Sequence, residues 1–190
     1  MIEIDVVCAT ARQNGAIIDL PPRELALLTT LAIRKRSWPS YQLVPLLWPR
    51  APGTRSSSLK VYIHRLRQRL GHACISSTNK GYELGAHVRV ALWEVQGLLR
   101  QPILSDAQRQ TLSRFYFTAL SADRSFLSRW DWFEGSEALI NAAISDVALR
   151  LAQEALARDL RDEAGTIVRS AALLNPAEAR LHEWQATAIS

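Results

Sequence analysis

Residues 56–71, SSSLKVYIHRLRQRLG, combine cations and short polar side chains with aliphatic residues at helical spacing. On a helix, the aliphatic residues Leu59, Ile63, Leu66 and Leu70 fall within about 60° of one another and form a narrow stripe suited to burial. The opposite side carries mainly polar and cationic residues, which are Ser57, Lys60, Val61, His64, Arg65 and Gln68. Such groups donate hydrogen bonds to phosphates and to base edges. The spacing therefore predicts a helix whose unburied side fits the major groove of DNA, which admits one α-helix.

The charge distribution also indicates a polyanionic partner for the N-terminal half. Residues 1–85 contain 12 Lys and Arg against five Asp and Glu, a net charge of +7, whereas residues 86–190 have a net charge of −2. No carboxylate occurs between Glu24 and Glu83. The ten cations in that interval are Arg34, Lys35, Arg36, Arg50, Arg55, Lys60, Arg65, Arg67, Arg69 and Lys80. A cationic segment without acidic residues is typical of nucleic-acid binding.

The elements that position this helix follow from the pattern of residues 1–85. Period-two alternation in IEIDVV and the apolar run AIIDL predict two opening strands joined by a turn at residues 12–15. Pro21 and Pro22 begin a first helix, and Ser40 caps a second, which Pro45 shortens or kinks. The third helix covers residues 55–70, and ACISS and YELG form a hairpin around TNKG, where Asn79 and Gly81 tolerate positive φ. The order strand, strand, helix, helix, helix, hairpin predicts an α+β winged helix-turn-helix domain over residues 1–85.

Residues 86–190 carry helical signals and constitute an all-α domain. The predicted helices cover about residues 88–100, 105–119, 133–158, 161–174 and 177–188, according to the apolar periodicity and the proline breaks. Their Ala- and Leu-rich composition favours an antiparallel helical array.

Four segments in order resemble the OmpR-type winged-helix domain over residues 18–85. They are LPPRELALLTTL, LVPLLW, VYIHRLRQRL and GYEL. The resemblance implies that the helix over residues 55–70 is the recognition helix and that PRAPGTR is a loop offered to RNA polymerase. It also implies that the family's DNA-contact positions are Ser58, Val61, Tyr62, Arg65 and Arg67.

The second half resembles the bacterial transcriptional activator domain that follows this winged helix in the SARP family. Residues 145–178 resemble one tetratricopeptide (TPR) unit, because its small, apolar and proline positions are filled. Those positions are Leu151, Ala152, Ala164, Val168, Ala171 and Pro176. The segment FLSRWDWFEGSEAL resembles the entry to the long helix of that domain. The two resemblances imply a bacterial transcription regulator, an activator, with a TPR-like helical domain that contacts RNA polymerase or other partners.

These observations assign roles to individual residues. We expect Arg65 to read a base, and Arg55, Lys60 and Arg67 mainly to contact phosphates. Shorter side chains tune the preference; these are Ser57, Ser58, Val61 and His64. Tyr62 lies nearer the core edge of the helix. Asn79 and Lys80, at the hairpin tip, approach the neighbouring minor groove of double-stranded DNA. Because one winged helix covers a short half-site, a homodimer on DNA is expected.

The sequence argues against other classes of protein. No nucleophile motif or glycine-rich phosphate loop occurs, so we expect neither an enzyme nor a cofactor. His72 and Cys74 are too few ligands for a metal site. The start of the chain is not a secretory peptide and no apolar run is long enough to span a membrane, so a cytoplasmic location is expected.

Two alternatives remain open from the sequence. The aromatic residues between 115 and 133 are either core residues or the lining of a pocket for a small-molecule effector; they are Phe115, Tyr116, Phe117, Phe126, Trp130, Trp132 and Phe133. The whole chain is alternatively a TPR-like protein-interaction adaptor, whose basic domain contacts nucleic acid without sequence preference or binds an acidic partner.

Overall fold

The computed structural model describes residues 1–49, 56–130 and 134–188. The chain forms two compact units, the first containing Met1–Trp93 and Arg124–Glu134 and the second containing Glu94–Asp123 and Gly135–Ser190. The first is a winged helix with strands and helices and the second is helical, which confirms the predicted fold class. Because each unit is assembled from two separate segments, a single boundary between residues 85 and 86 stays a prediction.

A four-stranded sheet contains the N-terminus. Its strands are β1 (Ile2–Asp5), β2 (Thr10–Gln13), β3 (Ala16–Ile17) and β6 (Val88–Val90), in the order β3-β2-β1-β6. β1 is antiparallel to β2 and parallel to β6, with Ile2 opposite Val88. Burial of Ile2, Ile4, Val88 and Val90 gives the sheet its apolar face.

The sheet corrects two predictions made from the sequence. Three strands open the chain instead of two, because the turn is confined to Asn14 and Gly15, where φ is +52° and +87°, and residues 10–13 remain extended. The helix predicted from residue 88 begins only at Ala91, because Val88–Val90 pairs with β1. Local periodicity predicts neither pairing, because the backbone N–H and C=O groups of a strand find their hydrogen-bond partners on another strand.

Three helices form the core of the first unit. They are α1 (Pro22–Ile33), α2 (Ser40–Leu47) and α3 (Ser56–Leu70). α1 begins with a proline, as predicted, because the first helical N–H has no partner within the helix. Ser40 is the first residue of α2 and does not cap it; Pro39 occupies the cap position. α2 continues through Pro45, whose ring is exposed, and Trp48 N donates to Val44 O at 2.9 Å.

A hairpin completes the winged helix. β4 (Ile75–Thr78) pairs with β5 (Gly81–Leu84), and we call residues 75–84 the wing. The backbone of Trp38 attaches to it, since Trp38 N donates to Tyr82 O at 2.7 Å and Tyr82 N donates to Trp38 O at 2.9 Å. Gly81 has φ of +135°, and a Cβ there would lie 2.1 Å from Trp38 O, so the position requires glycine. Asn79, for which positive φ was also predicted, does not have it.

Apart from the short helix Ser125–Ser128, which was not predicted, the helices of residues 91–188 match the prediction to within a few residues at most ends. They are α4 (Ala91–Leu98), α5 (Asp106–Ser121), the short α6 (Ser125–Ser128), α7 (Glu134–Leu156), α8 (Arg161–Leu174) and α9 (Ala179–Ala188). Ser105 begins α5 with a capping box, in which its side chain accepts from Gln108 N and the Gln108 side chain accepts from Ser105 N. No helix in the described ranges is long and apolar enough to cross a membrane.

Small side chains allow the helices of the second unit to approach closely. α8 packs against α9 and α5. The residues at the TPR-like apolar positions are buried, namely Leu151, Ala152, Ala164, Val168 and Ala171. Pro176 is exposed just beyond the end of α8, where it cannot continue a helix.

Candidate nucleic-acid interface

The buried stripe of α3 anchors this helix to the first unit. Leu59, Ile63, Leu66 and Leu70 are each at most 3% exposed, as the helical spacing predicts. They pack where α3 meets α1 and α2. Full burial of four aliphatic side chains is worth roughly 1.5–3 kcal/mol each relative to exposure, so the orientation of α3 about its own axis is strongly determined.

The opposite side of α3 faces solvent. We call it the free flank, consisting of Ser57, Lys60, Val61, His64, Arg65 and Gln68, all of which are exposed. Ser58, at its border, is half-buried. In the described part of the chain, the side chains of Lys60, His64 and Gln68 have no hydrogen bond or ion pair, so their polar groups remain available to a ligand. Val61 is 47% exposed and adds an apolar spot to this cationic surface.

Arg65 is supported from one side by an aromatic pair. Its guanidinium carbon lies 5.7 Å from the centre of the Tyr62 ring, which in turn lies 5.6 Å from the Trp48 ring at the end of α2. Arg23 lies over the other aromatic member, 5.7 Å from the Trp48 centroid. Trp48 is buried and Tyr62 is half-buried, so Tyr62 lies at the core edge as predicted. A cation over an aromatic face gains roughly 0.5–1 kcal/mol at exposed sites, which favours an Arg65 side chain held close to the helix surface.

Arg67 is bound within the domain, which the sequence did not reveal. Its Nε and Nη2 atoms donate to Ile75 O at 3.0 and 2.8 Å, and Nη2 also donates to Ser77 Oγ at 2.9 Å. These bonds connect α3 to β4, the first strand of the wing. The predicted phosphate contact by Arg67 stays a prediction. The Nε and Nη2 groups of Arg67 already donate within the domain.

The wing tip is ordered by hydroxyl groups. Thr78 Oγ1 accepts from Lys80 N at 3.1 Å and lies 3.1 Å from Ser37 Oγ, while Ser37 donates to Glu83. Asn79 and Lys80 are both exposed at the turn, where we predicted contacts with DNA. The hydroxyl network fixes the base of the turn and leaves these two side chains on its outer surface.

A cleft beside the wing was not anticipated from the sequence. Its volume is about 690 Å³, and we call it the wing cleft; it is lined by Arg36, Ser37, Pro39, Ser40, Tyr41, Gln42 and residues 77–82. Arg36 lies 3.9 Å from the Trp38 ring centre and donates to Gln42 Oε1 at 3.1 Å. Tyr41 is 75% exposed. The cleft thus brings together Arg36 and Lys80 from segments more than forty residues apart, which only the tertiary contacts could reveal.

One cation near the free flank is used for structure. Arg69 Nε lies 3.3 Å from Glu24 Oε2, and this glutamate is 1% exposed on α1. The Arg69 side chain is 50% exposed, so solvent weakens its attraction to Glu24, but losing it would leave the buried Glu24 carboxylate without this cation. Arg69 therefore contributes to the contact between α1 and α3. It is therefore a poor candidate for DNA contact, although it lies among the ten cations of the basic segment.

Several residues singled out from the sequence lie outside the described residues, and two others were considered as metal ligands. Residues 50–55, which include Arg55 and belong to the segment PRAPGTR that the resemblance implied is offered to RNA polymerase, lie outside them, as do Trp132 and Phe133. Burial raises the pKa of the Cys74 thiol to about 11, and His72 is exposed. In the described ranges, no group of three His, Cys, Asp or Glu side chains could hold a metal ion.

The described aromatic residues between 115 and 133 belong to both units of the chain. Phe115 and Tyr116 are buried in the second unit, and Phe117 is 61% exposed there. Trp130 belongs to the first unit. Of the two alternatives, Phe115 and Tyr116 are core residues, and Tyr116 and Phe117 also line a cleft of the second unit.

Comparison with known proteins identifies the N-terminal domain. Residues 14–84 match the family model described as "Transcriptional regulatory protein, C terminal". Residues 14–84 therefore form a winged helix of the kind that this family model describes, a DNA-binding domain of transcription regulators, and that family is not one of enzymes. No curated protein matches the sequence of the chain.

One solved structure extends the likeness of fold to nearly the whole chain. It is Mycobacterium tuberculosis EmbR in complex with a low-affinity phosphopeptide, with a TM-score of 0.69 and 18% sequence identity. The match covers 98% of this chain and 54% of the EmbR chain, so this chain spans about half the length of its neighbour. At this identity the comparison establishes a shared fold, a winged helix followed by a helical region.

Proposed function

We propose that the chain is a sequence-specific regulator of transcription that reads the major groove of double-stranded DNA with α3. The observation that carries this proposal is the division of α3 into a fully buried aliphatic stripe and a cationic free flank. A recognition helix needs both properties, since the stripe sets its orientation and the flank supplies the contacts.

The contacts on DNA are assigned by exposure and by existing partners. Arg65 reads a guanine, because it is exposed and its only ring contact leaves its N–H donors unoccupied. Lys60 and Arg55 contact phosphates, and Ser57, Ser58, Val61 and His64 tune the preference between sequences. Tyr62 acts indirectly by supporting Arg65. Arg67 holds the wing against α3 and contributes to DNA binding mainly through that position.

The wing cleft supplies a second row of contacts. Arg36 and Lys80 border it together with the first residues of α2, whose N–H groups have no partners within the helix. A DNA phosphate placed there would meet two cations and the positive end of the α2 dipole. Asn79 and Lys80 then approach the minor groove next to the segment that α3 reads.

The proposed oligomeric state, location and partner are argued from the two-unit fold. We propose a cytoplasmic activator that binds DNA as a homodimer, because a single winged helix covers only a short half-site. The helical unit contacts RNA polymerase or another partner. The competing proposal, an adaptor that binds nucleic acid without sequence preference, shares the basic domain but predicts equal affinity for all duplexes.

Selection of bound DNA from a random pool, followed by a salt titration, tests the proposal. We expect the selected duplex to bind at least about 10³-fold more tightly than random duplex at physiological salt. Equal affinity for both would refute sequence-specific reading and favour the adaptor.

Two variants assign the contacts. Arg65→Ala removes roughly 1–3 kcal/mol of binding free energy for the selected duplex and changes random-duplex binding less. Lys60→Ala weakens both and lowers the slope of log K against log salt by about 1. Arg114→Ala, on an exposed arginine of α5, is the matched control and leaves both affinities unchanged. An unchanged footprint with Arg65→Ala would reject the docking of α3.

A further inference from the structure

The second unit contains a cleft that DNA binding does not use. Its volume is about 680 Å³, within the 300–1,000 Å³ typical of small-molecule sites, and we call it the helical cleft. It lies among α5, α7 and α8. Its apolar lining is formed by Tyr116, Phe117, Leu120, Leu151, Ala155 and Ile167.

The floor of the helical cleft is formed by a buried tyrosine that is hydrogen-bonded across two helices. Tyr116 is 1% exposed, and its hydroxyl donates to Ile167 O at 2.6 Å, which ties α5 to α8. Phe117 packs against the Tyr116 ring edge-on, with 5.6 Å between the ring centres. Although it adjoins this apolar floor, Phe117 remains 61% exposed. A ligand that covered its ring would remove a large apolar surface from water without rearranging the floor.

Acidic side chains outnumber basic ones on the rim of the helical cleft. Four carboxylates and two guanidiniums line the helical cleft, a net charge of −2. Arg109 pairs with Asp106, lies 3.6 Å from Glu154 and donates to Leu104 O at 2.7 Å. Arg158 lies 3.8 Å from the same Glu154. The two cations are thus directed toward carboxylates of α5 and α7, and an incoming anion would have to compete with those pairs.

The remaining carboxylates determine which ligand charge is favoured. Asp162 and Glu163, in the first turn of α8, have no cation within ion-pair distance in the described part of the chain. Arg161, the residue before them, lies 3.5 Å from Asp159, and the N-terminus of α8 offsets only roughly +0.5 of the charge of Asp162 and Glu163. The α8 end of the cleft therefore stays negative and favours a positively charged group.

We propose that the helical cleft binds a small organic cation with an aromatic or branched aliphatic body. The apolar body covers Phe117 and Leu120, and the cationic group lies at the α8 end beside Asp162 and Glu163. This site is independent of the DNA-binding proposal, because every residue that forms it belongs to the second unit.

Two probes of equal ring size and opposite charge test the site on the full chain without DNA. 2-Phenylethylammonium and 3-phenylpropionate are titrated to about 10 mM, since a fragment of this size is expected to bind with a Kd of roughly 1 mM. NMR signals of aromatic and methyl groups report the location. We expect the ammonium probe to shift Phe117, Leu120 and Ile167 with saturation, and the carboxylate probe to bind at least about fivefold more weakly.

Variants separate the charge from the apolar floor. Asp162→Asn combined with Glu163→Gln weakens the ammonium probe about tenfold, and Phe117→Ala weakens it while leaving the helical content unchanged, because this ring is exposed. Glu183→Gln, which removes an exposed carboxylate of α9 outside the cleft, is the matched control and has no effect. Circular dichroism verifies that each variant is folded.

Three outcomes would overturn the proposal. They are equal binding of the two probes, no saturable shift of the cleft residues by the ammonium probe, and shifts confined to residues outside the cleft. Sedimentation of the unliganded protein provides a further check, since a dimer that dissociates with Phe117→Ala would mean that a second copy of the chain covers the site. A negative result with the two probes does not affect the result of the DNA titration. The ligand proposal and the DNA-binding proposal can therefore be refuted independently.

Discussion

Replacing Arg67 by alanine removes all three hydrogen bonds between α3 and the wing. Two of them share one acceptor, Ile75 O, at 2.8 and 3.0 Å, and the third reaches Ser77, which is exposed. A hydrogen bond from a charged donor contributes about 1.5–3 kcal/mol, and the exposed bond to Ser77 contributes less. Because the two bonds to Ile75 O share one acceptor, we count them as one strong bond. We therefore expect Arg67→Ala to lower the free energy of opening the wing by about 2 kcal/mol.

Hydrogen exchange measured by mass spectrometry provides the assay, because it reports the opening of single segments in a two-unit protein. A change of about 2 kcal/mol corresponds to roughly 30-fold faster exchange of the wing amides. Arg65→Ala is the matched control, since it removes an arginine two residues away on the same helix that has no hydrogen bond to the wing. We expect wing exchange in Arg65→Ala to match that of the unchanged protein.

The two variants should also differ on DNA. Arg65→Ala reduces affinity for the selected duplex, while the amides of its wing stay protected from exchange. Arg67→Ala loosens the wing and reduces affinity mainly because the contacts of the wing with DNA are lost. Arg67→Lys restores the charge but not the bidentate geometry, so the wing stays loosened. If wing exchange is unchanged in Arg67→Ala, or equally fast in Arg65→Ala, the role of Arg67 as the connection between helix and wing is wrong.

Further predictions concern packing and ionisation. Leu66→Ala, at a side chain with 0% exposure, lowers the free energy of unfolding by about 2–5 kcal/mol in urea titrations. Gly81→Ala brings a Cβ to within 2.1 Å of Trp38 O, so it costs at least about 2 kcal/mol more than Gly15→Ala, where φ is also positive but no atom lies within 4 Å. Burial raises the pKa of Tyr116 from its ordinary value near 10 to about 12. The folded protein therefore holds this proton more tightly than the unfolded chain, and stability is lost as pH rises through this interval. Tyr116→Phe removes that alkaline dependence in urea titrations made at several pH values.

Much of the proposed DNA-binding surface could be predicted because it is a property of one helix. The side-chain directions of α3 follow from helical geometry, so Leu66 and Arg65 were assigned to opposite sides without knowledge of their neighbours. The same reasoning placed Tyr62 at the core edge, where it contacts Trp48. The motif order of residues 18–85 supplied the position of this helix within a winged-helix domain.

Long-range contacts escaped the same reasoning. Arg67 has the spacing and charge of a phosphate contact, but the position of β4 gives its guanidinium a backbone carbonyl to bind. Val88–Val90 alternates apolar and polar residues, but three residues are too short a signal to predict a strand, which forms by pairing with β1. The wing cleft combines Arg36 with Lys80, whose separation along the chain carries no information about their distance in space.

The sequence by itself determined which residues of α3 are buried, where the positive charge lies and that the second half is helical, because helical periodicity and composition are local properties of the chain. Tertiary structure alone decided which cations remain available to a ligand, how the wing is attached and that α5, α7 and α8 enclose a cleft with an acidic end. These features depend on hydrogen bonds and burial between residues distant in sequence, and such contacts exist only once the elements have packed.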